Sequence, residues 1–172
     1  MKISLTPIKK EEYEILINLA EKYEYEFSQY SNVDVDVMGT FGCADWLQIY
    51  FSEQNYWPYF IKVEEKLAGF ILICDDAFEG YHTDFIVDEF FIIYKYRGIG
   101  VGFNVVKQVL QLHRGSFGLS YSPRNGPAAA FWQKTISRIT NDDFQLYTQN
   151  PHIIYPDGTE ATIITFDFER GD

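Results

Sequence analysis

The chain has 172 residues, 14 Lys and Arg against 25 Asp and Glu for a formal charge of −11, and 3 Trp, 13 Tyr and 15 Phe. That length suits one domain (1–172) that can bury about 70% of its unfolded surface without staples, and Cys43 and Cys74 match no zinc or redox spacing. The acidic balance excludes nucleic acid, which needs clustered Lys and Arg, and favours a cationic small molecule; the longest apolar runs, such as Gly69–Cys74, fall short of the roughly 18 residues of a membrane span.

Charges at Lys9, Lys10, Glu11 and Glu12 interrupt any signal-peptide core, so a cytoplasmic location is expected. Lys2–Leu5 alternates as a short strand, and Thr6-Pro7 reads as the cap and first turn of a helix. Tyr13, Leu16, Ile17, Ala20 and Tyr23 then place an apolar stripe along that helix. Ser31–Gly42 breaks the period, with Asp34 and Asp36 among valines, and reads as an acidic connection to a shorter helix over Ala44–Phe51. Pro58–Val63 and Leu67–Cys74 form a hairpin around Glu64-Glu65-Lys66, and Asp84–Ile93 is a longer strand rich in β-branched and aromatic residues. A helix follows from about Gly98 to Arg114, stopped by Gly115; Phe117–Tyr121 is a strand and Asn125–Ile139 a helix capped by Asn125. Phe144–Thr148 and Thr159–Phe168 close the chain as strands.

The chemistry-bearing segment is Tyr96-Arg97-Gly98-Ile99-Gly100-Val101-Gly102. A glycine-rich turn opening a helix presents free amides and the positive end of the helix dipole, an anion site. A dinucleotide fingerprint would need glycine at Phe103, and a Walker loop would need a Gly-Lys-Ser/Thr that is absent. What fits is R-x-x-G-x-G over Arg97, Gly100 and Gly102.

Set after an apolar strand ending in Phe91-Ile92-Ile93 and before an amphipathic helix, that motif resembles the acyl-CoA-binding motif of the GNAT N-acetyltransferases. Asn125-x-x-Ala128-x-x-Phe131-Trp132 is similar to a second segment of the same family, and the element order matches over nearly the whole chain. The resemblance implies an α/β fold with a central, mostly antiparallel twisted sheet and helices on both faces. It implies an acetyltransferase that moves an acetyl group from acetyl-CoA, its cosubstrate, to a primary amine by direct attack in a ternary complex, without a metal. The amides of Arg97, Gly98, Ile99, Gly100, Val101 and Gly102 would cradle the CoA pyrophosphate, with Lys95 and Arg97 as nearby cations. Backbone groups of Phe91 and Ile93 would pair with the pantetheine arm, an N–H near Ile92 would polarise the thioester carbonyl, and Asn125 would touch the arm.

Two positions depart from the family. Trp132 stands where many members carry a tyrosine, which leaves Tyr121, Tyr147, Tyr155 or water as proton donor, and Ser120 replaces a strand glutamate, which turns attention to Asp88 and Glu89. Strict alternation would place these two on opposite faces; Glu89 is preferred as base for its longer arm and because it shares a face with Phe91 and Ile93. The alternative is a catalytically silent CoA-binding regulatory module with the same fold. Plainer readings stand beside these: Asn125 as a simple cap, His82, His113 and His152 as surface or turn residues, and Asp75-Asp76 as a solvated strand end. The run Tyr56-Trp57-Pro58-Tyr59-Phe60 reads as core, acceptor pocket or the surface of a homodimer. Asp34 and Asp36, by the same resemblance, border the acceptor cleft and favour a cationic acceptor.

Overall fold

The computed structural model describes residues 1–76 and 78–168. Seven strands, β1 (Ile3–Pro7), β2 (Tyr56–Val63), β3 (Lys66–Cys74), β4 (Phe85–Ile92), β5 (Gly115–Tyr121), β6 (Gln145–Ile154) and β7 (Glu160–Phe168), form one sheet in the order β1-β2-β3-β4-β5-β7-β6. Neighbours run antiparallel except β4 and β5, which are parallel. On one face pack α1 (Tyr13–Ser31), α2 (Cys43–Leu47) and α3 (Ile49–Ser52), burying Leu16, Leu19, Ala20, Leu47 and Tyr50 against Phe60, Phe70, Leu72 and Phe91. On the other face α4 (Val101–Leu112) and α5 (Gly126–Thr140) bury Val105, Val109, Trp132 and Ile136 against Ile71, Ile73, Phe117 and Leu119. Each fully buried aliphatic side chain contributes about 1.5–3 kcal/mol, so the two cores clamp the sheet from both sides. No described helix is long and apolar enough to cross a membrane.

The first helix begins later than Thr6-Pro7. Pro7 ends β1 opposite Tyr59, a place an edge strand tolerates because the missing N–H faces away from the ladder. A 3₁₀ turn over Lys10–Glu12 then leads into α1, with the Lys9 amide donating to Glu12 Oε2 at 3.0 Å. Likewise Gly115 opens β5, while α4 closes at Leu112. β6 runs on to Ile154 through irregular pairing between Tyr147 and Ile154.

Two features of β4 shape everything that follows. Its parallel pairing with β5 covers only Phe85, Ile86 and Val87 against Phe117, Gly118 and Leu119. Beyond Val87 the two strands part, leaving one edge of β4 open. The second feature is a bulge: Leu72 faces Glu89 and Ile73 faces Val87, so Asp88 is an extra residue in β4. A bulge resets alternation, and Asp88 and Glu89 therefore lie on the same face, that of α1 and α3, instead of opposite faces.

Candidate active site

Antiparallel ladders alternate between residues that bond to their neighbour and residues that turn their peptide groups away. The Ile93 amide donates to the Ala68 carbonyl at 2.8 Å, and Phe91 pairs with Phe70. Phe91 and Ile93 thus direct their backbone groups to β3, and it is Phe90 and Ile92 that present theirs to the open edge. This reverses the pair expected to meet an extended ligand arm. A cleft of about 390 Å³ follows the edge, floored by Phe90, Phe91 and Ile92. Tyr23, Phe27 and Tyr30 of α1 wall it, together with Gly98, Gly102, Asn125 and Phe131. Behind the floor, the rings of Phe90, Phe131 and Trp132 lie within 5.5 Å of one another. They fill the wedge where β4 leaves β5.

At one end of the cleft stands the glycine turn. Gly98 and Gly100 adopt φ of 73° and 85°, left-handed values that favour glycine. A side chain at Gly98 would meet nothing within 4 Å, and one at Gly100 only Asn104 Nδ2 at 3.9 Å, so the backbone here is bare to a ligand. Among the described residues the amides of Gly98, Ile99, Gly100, Val101, Gly102 and Phe103 have no hydrogen-bond partner, and they cluster at the start of α4. Gly102 is glycine for another reason: a Cβ there would sit 2.7 Å from the Phe131 ring. The missing side chain permits close packing under α5, and Gly102 lines the cleft as well.

Arg97 bridges elements. Its Nε donates to the Ile92 carbonyl at 2.6 Å, its guanidinium pairs with Glu26 at 2.7 Å, and it lies 5.5 Å from the Phe91 ring centre. The side chain therefore fastens α1 to the end of β4, while its backbone leads into the amide turn. Lys95 is exposed beside the Tyr96 ring. Asn125 accepts from the Ala128 amide through Oδ1 at 3.1 Å as the α5 cap, and lines the cleft as well.

Past the Phe90 end of the floor β4 carries two carboxylates, Glu89 beside Tyr23 of the cleft wall and Asp88 before it. Glu89 is half-buried; its recess in the protein pushes its carboxyl well above the usual carboxylate range, and the charge of Asp88 adds to the rise, against a smaller opposing effect of the Tyr23 hydroxyl. Asp88 is exposed, and crowding by neighbouring protein atoms raises its carboxyl, opposed by the Tyr50 hydroxyl, which donates to it. Tyr155, between β6 and β7, is half-buried, lies tilted against the Phe27 ring at 5.7 Å and is pushed up to about 12 by burial, with Ser120 acting in the opposite direction and Glu89 adding to the rise. The three candidate donors thus separate. Tyr121 is buried in the core beneath α5, its hydroxyl accepting from Gln133 at 2.8 Å. Tyr147 bonds to Gln145. Tyr155 alone of the three stands beside Glu89.

No spacing marks Tyr23, Tyr50 or Asp76 as site residues; Tyr23 reads as one more apolar position of a helical stripe and Asp76 as part of a solvated strand end. Neither Asp34 nor Asp36 lines the cleft, and the Asp36 carboxylate accepts from the Met38 and Thr40 amides of its own turn at 2.8 and 2.9 Å. Of the histidines, His82 and His152 are exposed, whereas His113 is buried against the Tyr59 hydroxyl at 2.9 Å.

No family model and no curated protein matches the sequence. Solved structures do. The chain is similar to an acetyltransferase from Thermus thermophilus, with a TM-score of 0.70 at 11% identity over 98% of both chains. It is similar to an acetyltransferase of the GNAT family from Staphylococcus aureus, with a TM-score of 0.61 at 12% identity over 98% of this chain and 100% of the other. A spermidine N-acetyltransferase from Vibrio cholerae in complex with CoA and spermine matches with a TM-score of 0.63 at 9% identity, over 95% of this chain and 94% of that one. The chain has the fold of the GNAT acetyltransferases.

Proposed function

We propose that this chain is an acyl-CoA-dependent N-acetyltransferase that moves the acetyl group of acetyl-CoA directly to a primary amine. The observation that carries the reading is the open edge of β4, lying between a turn of unpartnered amides and a recessed glutamate. The chain's own groups fit CoA. Free amides from Gly98 to Phe103 suit a pyrophosphate, and Gly98 and Gly100 leave the backbone uncovered. The peptide groups of Phe90 and the amide of Ile92, whose carbonyl is already taken by Arg97, face an extended amide-bearing arm as an added strand would use them. Bound acetyl-CoA supplies the activated acyl group.

The remaining steps belong to the protein. An amine arrives at neutral pH as an ammonium and must lose a proton before its lone pair can attack. Glu89, its carboxyl raised above the usual carboxylate range by its recess, is suited to take that proton directly or through a water. Tyr155, held up at about 12, stays protonated at neutral pH and can donate a hydrogen bond to the leaving sulfur. The aromatic wedge of Phe90, Phe131 and Trp132 excludes water from the floor. Release of free thiol from acetyl-CoA, followed across a panel of primary amines, tests the reading: amine-dependent release with acetylated product supports it. CoA binding with no release on any amine would favour the silent regulatory module instead.

A further inference from the structure

A second recess is lined by Asp88, the residue that precedes Glu89 on β4. Trp46 of α2, Tyr50 of α3 and Tyr56 of β2 wall about 250 Å³, with Asp76 and Asp88 on its lining. A shallower groove of about 530 Å³ shares Tyr56 and Asp76 with it and adds Glu53 and Asp75. The carboxylates of Asp76 and Asp88 accept from the hydroxyls of Tyr56 and Tyr50, whose rings meet edge to face at 5.1 Å. Among the described residues no Lys, Arg or His lines either recess, and none of the four carboxylates has an ion-pair partner.

Carboxylates held close by neutral hydroxyls repel one another, and the charge of Asp76 adds to the raised state of Asp88. An ammonium placed between them relieves that repulsion. Aromatic faces attract cations and accept methylene stems, so the walls and the charges favour one chemistry, an alkyl chain ending in an ammonium. The bulge matters here too. By placing Asp88 and Glu89 on one face, it makes the recess and the reaction centre neighbours along a single surface.

We propose that this recess is a second-cation subsite, and that the acceptor is a linear di- or polyamine whose distal ammonium lies between Asp76 and Asp88 against Trp46 and Tyr50. The near amine then stands at Glu89. This rests on the N-acetyltransferase reading and names its substrate class.

The test compares cadaverine with pentylamine, which share a carbon chain and differ by one ammonium. In the parent, kcat/KM for cadaverine should exceed that for pentylamine by about tenfold, and added salt should erode the difference. In Asp76→Asn the preference should fall toward unity, chiefly through KM, with Trp46→Leu as an independent variant should the first fail to fold. Equal use of both amines by the parent, or a preference that survives in a folded variant, would overturn the subsite. Calorimetric titration of the parent with cadaverine separates the two levels. Binding that Asp76→Asn weakens about tenfold, without turnover of any amine, would uphold the recess and sink the transferase reading; no binding, with turnover of simple monoamines, would do the reverse.

Discussion

The two ends of the cleft are built by different means. At the turn, the working groups are backbone amides, and side chains serve by being absent at Gly98 and Gly100 or by bracing the loop, as Arg97 does through Ile92 and Glu26. At the carboxylate end, the working groups are side chains brought in from α1, α3, β4 and the turn before β7, with Tyr23, Tyr50, Glu89 and Tyr155 more than a hundred residues apart at the extremes. A backbone site needs a contiguous stretch of chain and leaves a motif. A side-chain site assembled by the sheet leaves none.

If the two ends divide the work, variants should separate turnover from cofactor affinity. The largest effect is expected from Glu89→Gln, which should lower kcat/KM by about 10²-fold or more and abolish the acidic limb of the pH–rate profile, as measured on a reactive amine. The same variant should gain stability. A carboxyl raised in the folded state contributes stability only below its unfolded value, about 4.3, and that contribution is lost as pH rises through the folded value. The melting temperature of Glu89→Gln should therefore exceed that of the parent at neutral pH, and the two should converge below about pH 4.3. Equal melting temperatures across this range would mean that Glu89 is not recessed as described.

A smaller effect is expected at the other candidate proton partner. Tyr155→Phe removes the hydroxyl and keeps the ring that packs against Phe27. It should lower kcat by about tenfold with little change in KM, less than the roughly 10²-fold or more of a full general acid because the hydroxyl only donates a hydrogen bond to the leaving sulfur. A matching loss in Tyr121→Phe would contradict the assignment, since Tyr121 lies beneath α5 with its hydroxyl occupied.

The smallest effect concerns how Tyr155 is held. Arg124 pairs with Asp157 at 2.5 Å, tying the turn between β6 and β7 to the start of α5, and with the Thr159 groups it holds the Asp157 carboxyl down to about 2. A carboxyl lowered in the folded state stabilises above its unfolded value, about 3.9, and loses that stabilisation as pH falls toward the folded value. The difference in melting temperature between the parent and Asp157→Asn should be largest above about pH 4 and close as the pH falls toward about 2. A gap that persists at the acid end would point to the Thr159 contacts and not to charge.

Much of the scaffold is legible from pattern, because periods of two and of 3.6 register which face is buried. The stripe from Tyr13 to Tyr23 and the strands over Pro58–Val63 and Leu67–Cys74 lie within α1, β2 and β3. What pattern misses are local exceptions with large consequences. The extra residue at Asp88 carries no signature in Val87-Asp88-Glu89-Phe90, yet it changes the face of a carboxylate. Which of Phe90 or Phe91 turns its peptide group outward depends on the pairing of β4 with β3, a property of two strands together. Gly102 looks like its neighbours in the motif, and only the Phe131 ring above it shows that packing requires the glycine. Asp76 is the solvated strand end that it reads as, and what pattern does not show is the Tyr56 hydroxyl that donates to it from β2.

The division between the two ends is tested most directly by titrating CoA, by calorimetry, into the parent, Gly100→Val and Glu89→Gln. The parent and Glu89→Gln should bind alike. Gly100→Val, which combines a φ of 85° with a branched side chain over the free amides, should bind at least about tenfold more weakly while keeping its fold. A folded Gly100→Val that binds CoA as tightly as the parent, or a parent that does not bind it at all, would contradict the assignment of the turn.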